Sequence, residues 1–139
     1  MTKREGRICV FELLYEADFH KDTAAEEIYS RAVRVRDAET SKFTDHLYAL
    51  CQEHSEDIDN TVAAAAEGWT LSRMSFVTRA LLRMATGELL YTDVPAKVSI
   101  NEALEISKIY NDKKSTSFIN GILNKIARNT GKIQDGEKA

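Results

Sequence analysis

Asp93-Val94-Pro95-Ala96-Lys97-Val98-Ser99-Ile100-Asn101-Glu102-Ala103-Leu104-Glu105-Ile106-Ser107-Lys108, followed after a polar break by Ser115-Thr116-Ser117-Phe118-Ile119-Asn120-Gly121-Ile122-Leu123-Asn124-Lys125, is the stretch that decides the fold. Pro95 bars continuation of any helix that reaches it, because it lacks an N–H and its ring clashes with the preceding turn. Ser99 followed by Glu102 has the spacing of a capping box, which predicts a helix start there with Ile100, Ala103, Leu104 and Ser107 on the buried side. Asn111 suits its end, and Lys113-Lys114 form a basic corner. Asn120-Gly121 alone would read as a hairpin turn. Ile119, Ile122, Leu123 and Ile126 nevertheless fall at i, i+3, i+4 and i+7, so the helical period prevails. Glycine in a helix interior costs about 1 kcal/mol relative to alanine, and a close approach of two helices at Gly121 would offset it.

Towards the N-terminus the helical period persists. A first helix is predicted from about Lys3 to Asp18, with Val10, Leu13, Leu14 and Ala17 facing a core. Thr23 and Glu26 predict a capped second helix through about Val35. Phe43, Leu47, Leu50 and Cys51 form the stripe of a third, and Ser55 has the character of the next N-cap. Ile58, Val62, Ala65 and Ala66 carry a fourth to Gly68, a residue suited to the left-handed conformation that ends helices. The pattern weakens between Trp69 and Ser75, which predicts a linker containing a short helical turn. A long helix follows from about Ser75 to Tyr91, with Val77, Leu81, Met84, Ala85 and Leu89 inward and Gly87 at a close helix contact. From about Asn129 a frayed polar tail is expected.

The 139 residues are 43% hydrophobic, enough for one domain with a core. No run approaches the roughly 20 apolar residues of a membrane-spanning helix, and no apolar segment follows the N-terminal charges as in a signal peptide; a soluble, cytoplasmic protein without membrane contact is expected. Cys9 and Cys51 lie at helical apolar positions and read as buried free thiols rather than a disulfide or metal pair. His20, His46 and His54 have no metal-ligand spacing, and no glycine-rich phosphate loop or nucleophile elbow is present. The carboxylates Glu26, Glu27, Asp57 and Asp59 belong to helix first turns, where they favour the dipole. Neither catalysis nor a cofactor or metal is therefore expected.

What remains is local positive charge in a chain of net charge −3. Lys3, Arg4 and Arg7 lie along the first turns of the first helix, positioned to clamp phosphates. Lys113 and Lys114 stand beside Phe118 at the start of the last helix. Cations next to an aromatic suit single-stranded RNA, which is held through its phosphates and by stacking on splayed bases. Solvated basic residues and a core phenylalanine are the competing readings.

The chain resembles the NusB family of bacterial transcription antitermination factors. The likeness rests on the stretch quoted above, on Arg7-Ile8-Cys9-Val10-Phe11-Glu12-Leu13-Leu14-Tyr15-Glu16-Ala17-Asp18, and on Trp69 followed by Arg79-Ala80-Leu81-Leu82-Arg83-Met84-Ala85 with Glu88-Leu89. It extends over nearly the whole sequence. The resemblance implies an all-α fold of about seven helices in two small bundles, one NusB-like domain over 1–139 with halves at about 1–68 and 69–139. It implies no enzymatic step. Its implied partners are boxA-type RNA and the ribosomal protein NusE, then other Nus factors and RNA polymerase in the antitermination complex that promotes ribosomal RNA transcription. Carried onto this sequence, the RNA surface would combine Lys3, Arg4, Arg7, Lys113, Lys114 and Phe118. Tyr15, Asp18, Thr78 and Arg79 would meet the ribosomal protein, unless Arg79, Arg83 and Glu88 instead form an internal ion-pair and cap network. Asn101, Glu102, Asn120 and Gly121 read as mainly structural.

Three departures from the family pattern bear on function. Lys3, Arg4 and Arg7 are a leaner basic arm than the family's several arginines. Lys113-Lys114-Ser115 replaces its Glu-Asp-Ser, and Thr78 replaces the acidic residue before Arg79. Other readings stay open: a helical protein-interaction module without RNA binding, self-associating as a homodimer through an exposed apolar face, or the NusB-like N-terminal part of a ribosomal RNA methyltransferase, which would require the chain to be a fragment.

Overall fold

Helix formation follows the apolar periodicity closely. The structure, a computed structural model, describes residues 1–35 and 41–133, with backbone alone at 25 and 33–35. Among these residues it contains α1 (Lys3–Ala17), α2 (Ala25–Val35), α3 (Lys42–Glu53), α4 (Ser55–Ala65), a 3₁₀ turn (Leu71–Arg73), α5 (Phe76–Tyr91), α6 (Ala96–Tyr110) and α7 (Lys113–Asn129), and no strand. No described helix is long and apolar enough to cross a membrane.

The centre is α5. From Ala80 to Leu89 every residue except Arg83 is buried, and a helix apolar on all sides must be surrounded. It is enclosed by α1, α3, α4, α6 and α7, while α2 rests on α1. Gly87 is where the enclosure is tightest: a Cβ there would lie 2.7 Å from Cys51 Sγ on α3. The Cys51 thiol is pushed up to about 12 by burial, so it stays neutral and packs as a small apolar group. Cys9, half-buried, is likewise not part of a disulfide.

Boundaries depart from expectation where capping side chains compete. α6 starts at Ala96, not Ser99, because Pro95 (φ −57°) has a helix-compatible φ and its carbonyl accepts from the Val98 and Ser99 N–H groups. Ser99 is thereby buried inside the helix, its Oγ without a hydrogen-bond partner among the described residues. Ser55 is the first residue of α4, not its cap, and Thr23 stands two positions before the start of α2. Two caps that the sequence pattern did not single out are present: Thr2 and Glu5 form a capping box on α1, and Asp112 accepts the Ser115 N–H at 2.8 Å to start α7. α4 ends at Ala65, and Gly68 (φ +81°) completes the reversal after it.

Gly121 is a correction. Apart from its chain neighbours and the backbone of its own helix, no atom of the described residues lies within 4 Å of the Cβ it lacks, so it is not a helix-contact residue. The tail is another: Gly131 (φ +75°) and the Lys132 N–H bonded to the Ala127 carbonyl close α7 in a Schellman motif, and Ile133 is buried. Residues 134–139 of the expected tail lie outside the described residues.

Gly87 and Gly121 should respond oppositely to alanine. Gly87→Ala forces Cys51 and Ile58 apart and should destabilise by about 1–3 kcal/mol. Gly121→Ala, in open space, should stabilise by roughly 0.5–1 kcal/mol. Urea midpoints of the two variants check the pair, and equal signs would contradict the packing described.

Candidate nucleic-acid interface

Arg7 lies one turn inside α1, on the side that faces α5. It is 3% exposed, and its guanidinium grips the fully buried carboxylate of Glu88 with Nε at 3.0 Å from Oε1 and Nη2 at 2.9 Å from Oε2. Its Nη1 lies 3.5 Å from Glu102 of α6, and its guanidinium carbon lies 4.9 Å from the centre of the Phe43 ring. Glu102 in turn accepts a bidentate pair from Arg4, at 3.0 and 2.6 Å. The Arg4 hydrogen bonds hold the Glu102 carboxyl below its usual range, with the charge of Arg7 adding to the effect. Glu102 is thus structural as expected, but as an ion-pair partner and not as a cap.

This geometry corrects the expectation for Arg7. A guanidinium enclosed by Glu88, Glu102 and Phe43 does not present free donors to a phosphate. Arg4 is half exposed but paired, and Lys3 is exposed, with its Nζ 5.9 Å from the Phe43 ring centre. Lys3 and Arg4 are accordingly the accessible cations of the first helix.

The second basic cluster lies beyond the C-terminal end of α6. Arg4 meets Glu102 whereas the Phe11 ring meets Tyr110 at a tilt with centroids 4.9 Å apart, so α1 and α6 run parallel; eight residues of rise, about 12 Å, separate the two levels. Lys113 and Lys114 come just beyond Tyr110, exposed in the first turn of α7. Phe118, one turn on from Lys114, shares its face. Both line a groove of about 230 Å³ with Trp69, Arg73, Met74, Ser75, Thr78 and Ser115. Trp69 meets Phe118 edge-on at 5.8 Å. The two basic clusters are therefore not brought into contact; they stand as two poles. The sequence singles out neither Trp69 nor Arg73 as a site residue: Trp69 enters only as a match to the family pattern, and Arg73 lies in a segment without period.

The residues expected at a protein partner divide similarly. Tyr15 is exposed within an aromatic surface where it stands 5.1 Å from Phe19 and 6.5 Å from Phe76, and Phe19 stands 4.4 Å from Phe76. Arg79 lies over Phe76 at 4.2 Å and donates to the Met74 carbonyl. Asp18 and Thr78 are corrections. Both Asp18 oxygens accept from Arg83 Nη1, at 2.9 and 3.0 Å, while Asp59 accepts from the same guanidinium. Burial works against the charge of Arg83, but hydrogen bonds to Asp59 and Asp18 outweigh it and raise its pKa. Thr78 is buried, its N–H donating to the α5 cap Ser75. Neither side chain is free for a partner; both hold the frame beneath Tyr15 and Phe76.

Arg7→Met should leave Glu88 as an uncompensated buried charge and cost about 3–5 kcal/mol. The double variant Arg7→Met with Glu88→Leu should recover most of that, which urea denaturation of the two variants tests. A pH effect follows from Glu102. Because its folded pKa is depressed, its contribution is complete above the ordinary carboxyl value near 4.5 and fades as pH falls through the lower folded value. Stability measured from pH 7 down to 3 should fall in that window, and Arg4→Ala should flatten the slope.

The model of the NusB family matches residues 4–128. The transcription antitermination protein NusB of Trichlorobacter lovleyi is 39% identical over 126 residues, covering 89% of each chain. The solved structure of T. maritima NusB superposes with a TM-score of 0.81 at 34% identity, covering 92% of both chains. A crystal structure of antitermination factors NusB and NusE in complex with dsRNA shares the fold at a TM-score of 0.79 and 22% identity, covering 91% of this chain and 96% of that one. With the family pattern matched along almost the full sequence and the same helical architecture in place, the chain belongs to the NusB family.

Proposed function

We propose that the chain is a transcription antitermination factor that binds boxA-type single-stranded RNA jointly with the ribosomal protein NusE, and so joins other Nus factors on RNA polymerase. The observation that carries this reading, within a family of antitermination proteins, is the placement of Lys113 and Lys114. They occupy the first turn of α7, the positive end of a helix dipole, where cations are unfavourable to the fold and an anion is favoured. Phe118 on the same face offers a stacking surface beside that anion site. Lys3 and Arg4 supply the second pole, and Arg7 fixes α1 beneath them. NusE is named with NusB in the RNA complex that shares this fold. The exposed aromatic surface of Tyr15, Phe19 and Phe76, with Arg79 over it, suits a protein partner. That partner role is for Tyr15 and Arg79, with Asp18 and Thr78 supporting from within.

Anisotropy of a labelled boxA-type RNA, with and without NusE and at two salt concentrations, tests the proposal against a scrambled RNA. Selective binding that NusE strengthens is expected. Absence of selectivity at low salt, even with NusE present, would leave a protein-interaction module. Lys113→Glu with Lys114→Glu should weaken binding and lower the salt slope by about 0.7 for each single-strand phosphate that is no longer neutralised. An unchanged slope would remove the α7 pole from the interface.

A further inference from the structure

We infer that the groove between Trp69 and Phe118 is a subsite for one unstacked nucleobase and its phosphate, with Trp69 and Arg73 as RNA contacts beyond the residues already named; this rests on the RNA-binding reading above. Trp69 is 50% exposed, although a tryptophan serving only the fold would be drawn further into the core. Its ring stands edge-on to Phe118, with an interplanar angle of 71°, so the two aromatics form a notch rather than a closed stack. The Arg73 guanidinium carbon lies 5.8 Å from the Trp69 ring centre, and Lys114 stands on the α7 side of the same groove. No carboxylate is among the described residues that line it. The acids nearest in sequence are both engaged: Glu67 with the Lys125 ammonium, and Asp112 with the Ser115 N–H as the cap of α7. In a chain of net charge −3, a groove holding two cations, two aromatics and no acid is complementary to an anion attached to a flat ring. Ser115 adds a hydroxyl beside Lys114 that can hydrogen-bond a base edge or phosphate. A nucleotide supplies ring and phosphate together, whereas an acidic peptide would leave the aromatic walls unused.

The chain has a single tryptophan, so its emission reports on this groove alone. Single-stranded boxA-type RNA should be titrated into the full chain, following Trp69 fluorescence and the anisotropy of labelled RNA in parallel. Saturable quenching with the same midpoint as the anisotropy is expected. Trp69→Ala should weaken binding about tenfold while Trp69→Phe keeps it within about twofold, and Arg73→Ala should reduce the salt slope by about 0.7. Circular dichroism melting of each variant separates an absent stacking surface from an unfolded chain, and the wild-type quenching needs no variant. RNA binding by anisotropy with unchanged Trp69 emission would overturn the subsite and leave the antitermination reading standing. Emission that responds only to NusE would assign the groove to protein contact and equally overturn it. No binding of RNA by either signal, with or without NusE, would remove both.

Discussion

The buried contact between Arg7 and Glu88 sets the register on which the other features depend. Two charges taken out of water are tolerated only with near-complete hydrogen bonding, and here the guanidinium fork meets both carboxylate oxygens. Sliding α1 by one turn along α5 would leave two isolated buried charges. The pair therefore fixes which face of α1 points outward and how far its N-terminus projects. Glu102 extends the constraint to α6 through Arg7 and Arg4, so one network joins three helices. Lys3 at one end of α1 and Tyr15 at the other are placed by this contact, although neither takes part in it.

The same logic explains why a central helix carries charge at all. α5 is otherwise apolar around its circumference, and apolar packing discriminates weakly between neighbouring registers. Glu88 near one end, Arg83 gripping Asp18 and Asp59 nearer the other, and Gly87 admitting only a close-packed Cys51 each accept one arrangement of α1, α3 and α4. Directional contacts at a few points define the arrangement, while the burial of residues such as Leu81, Leu82 and Leu89 supplies the driving force.

The apolar stripes of the helices were legible in the sequence because a period of 3.6 is written in consecutive residues. Ile119, Ile122, Leu123 and Ile126 are all buried as their spacing implies, and Gly87 meets Cys51 as its position implies. Helix starts were less legible. Ser99 has the side chain of a cap, yet Pro95 supplies the helical φ four residues earlier, so a local motif yields to an earlier nucleus. The state of a charge was least legible. Arg7 and Lys3 look alike in a basic N-terminus, and only the position of Glu88, 81 residues away, makes one a buried strut and leaves the other in solvent. Trp69 shows the converse: without periodic neighbours nothing in the sequence says whether it faces the core or the groove with Phe118.

The two basic poles differ in what they can offer an RNA strand. Arg4 already holds Glu102, so a phosphate there must compete with a carboxylate or share the guanidinium, and the gain is smaller accordingly. Lys113 and Lys114 form no side-chain ion pair among the described residues, and they add to the field of a helix N-terminus. About 12 Å separates the levels of the poles along α6. A mononucleotide can therefore engage one pole, and only a strand of several nucleotides can engage both. On the proposed function, the α7 end, where two lysines outside any ion pair among the described residues stand beside Phe118, is the pole that would discriminate between sequences. The α1 end would then add a phosphate contact that lengthens the footprint. On the same proposal, two lysines where the family resemblance implies an acidic pair would strengthen the pole that reads the bases, and the leaner basic arm of Lys3, Arg4 and Arg7 would weaken the pole that does not.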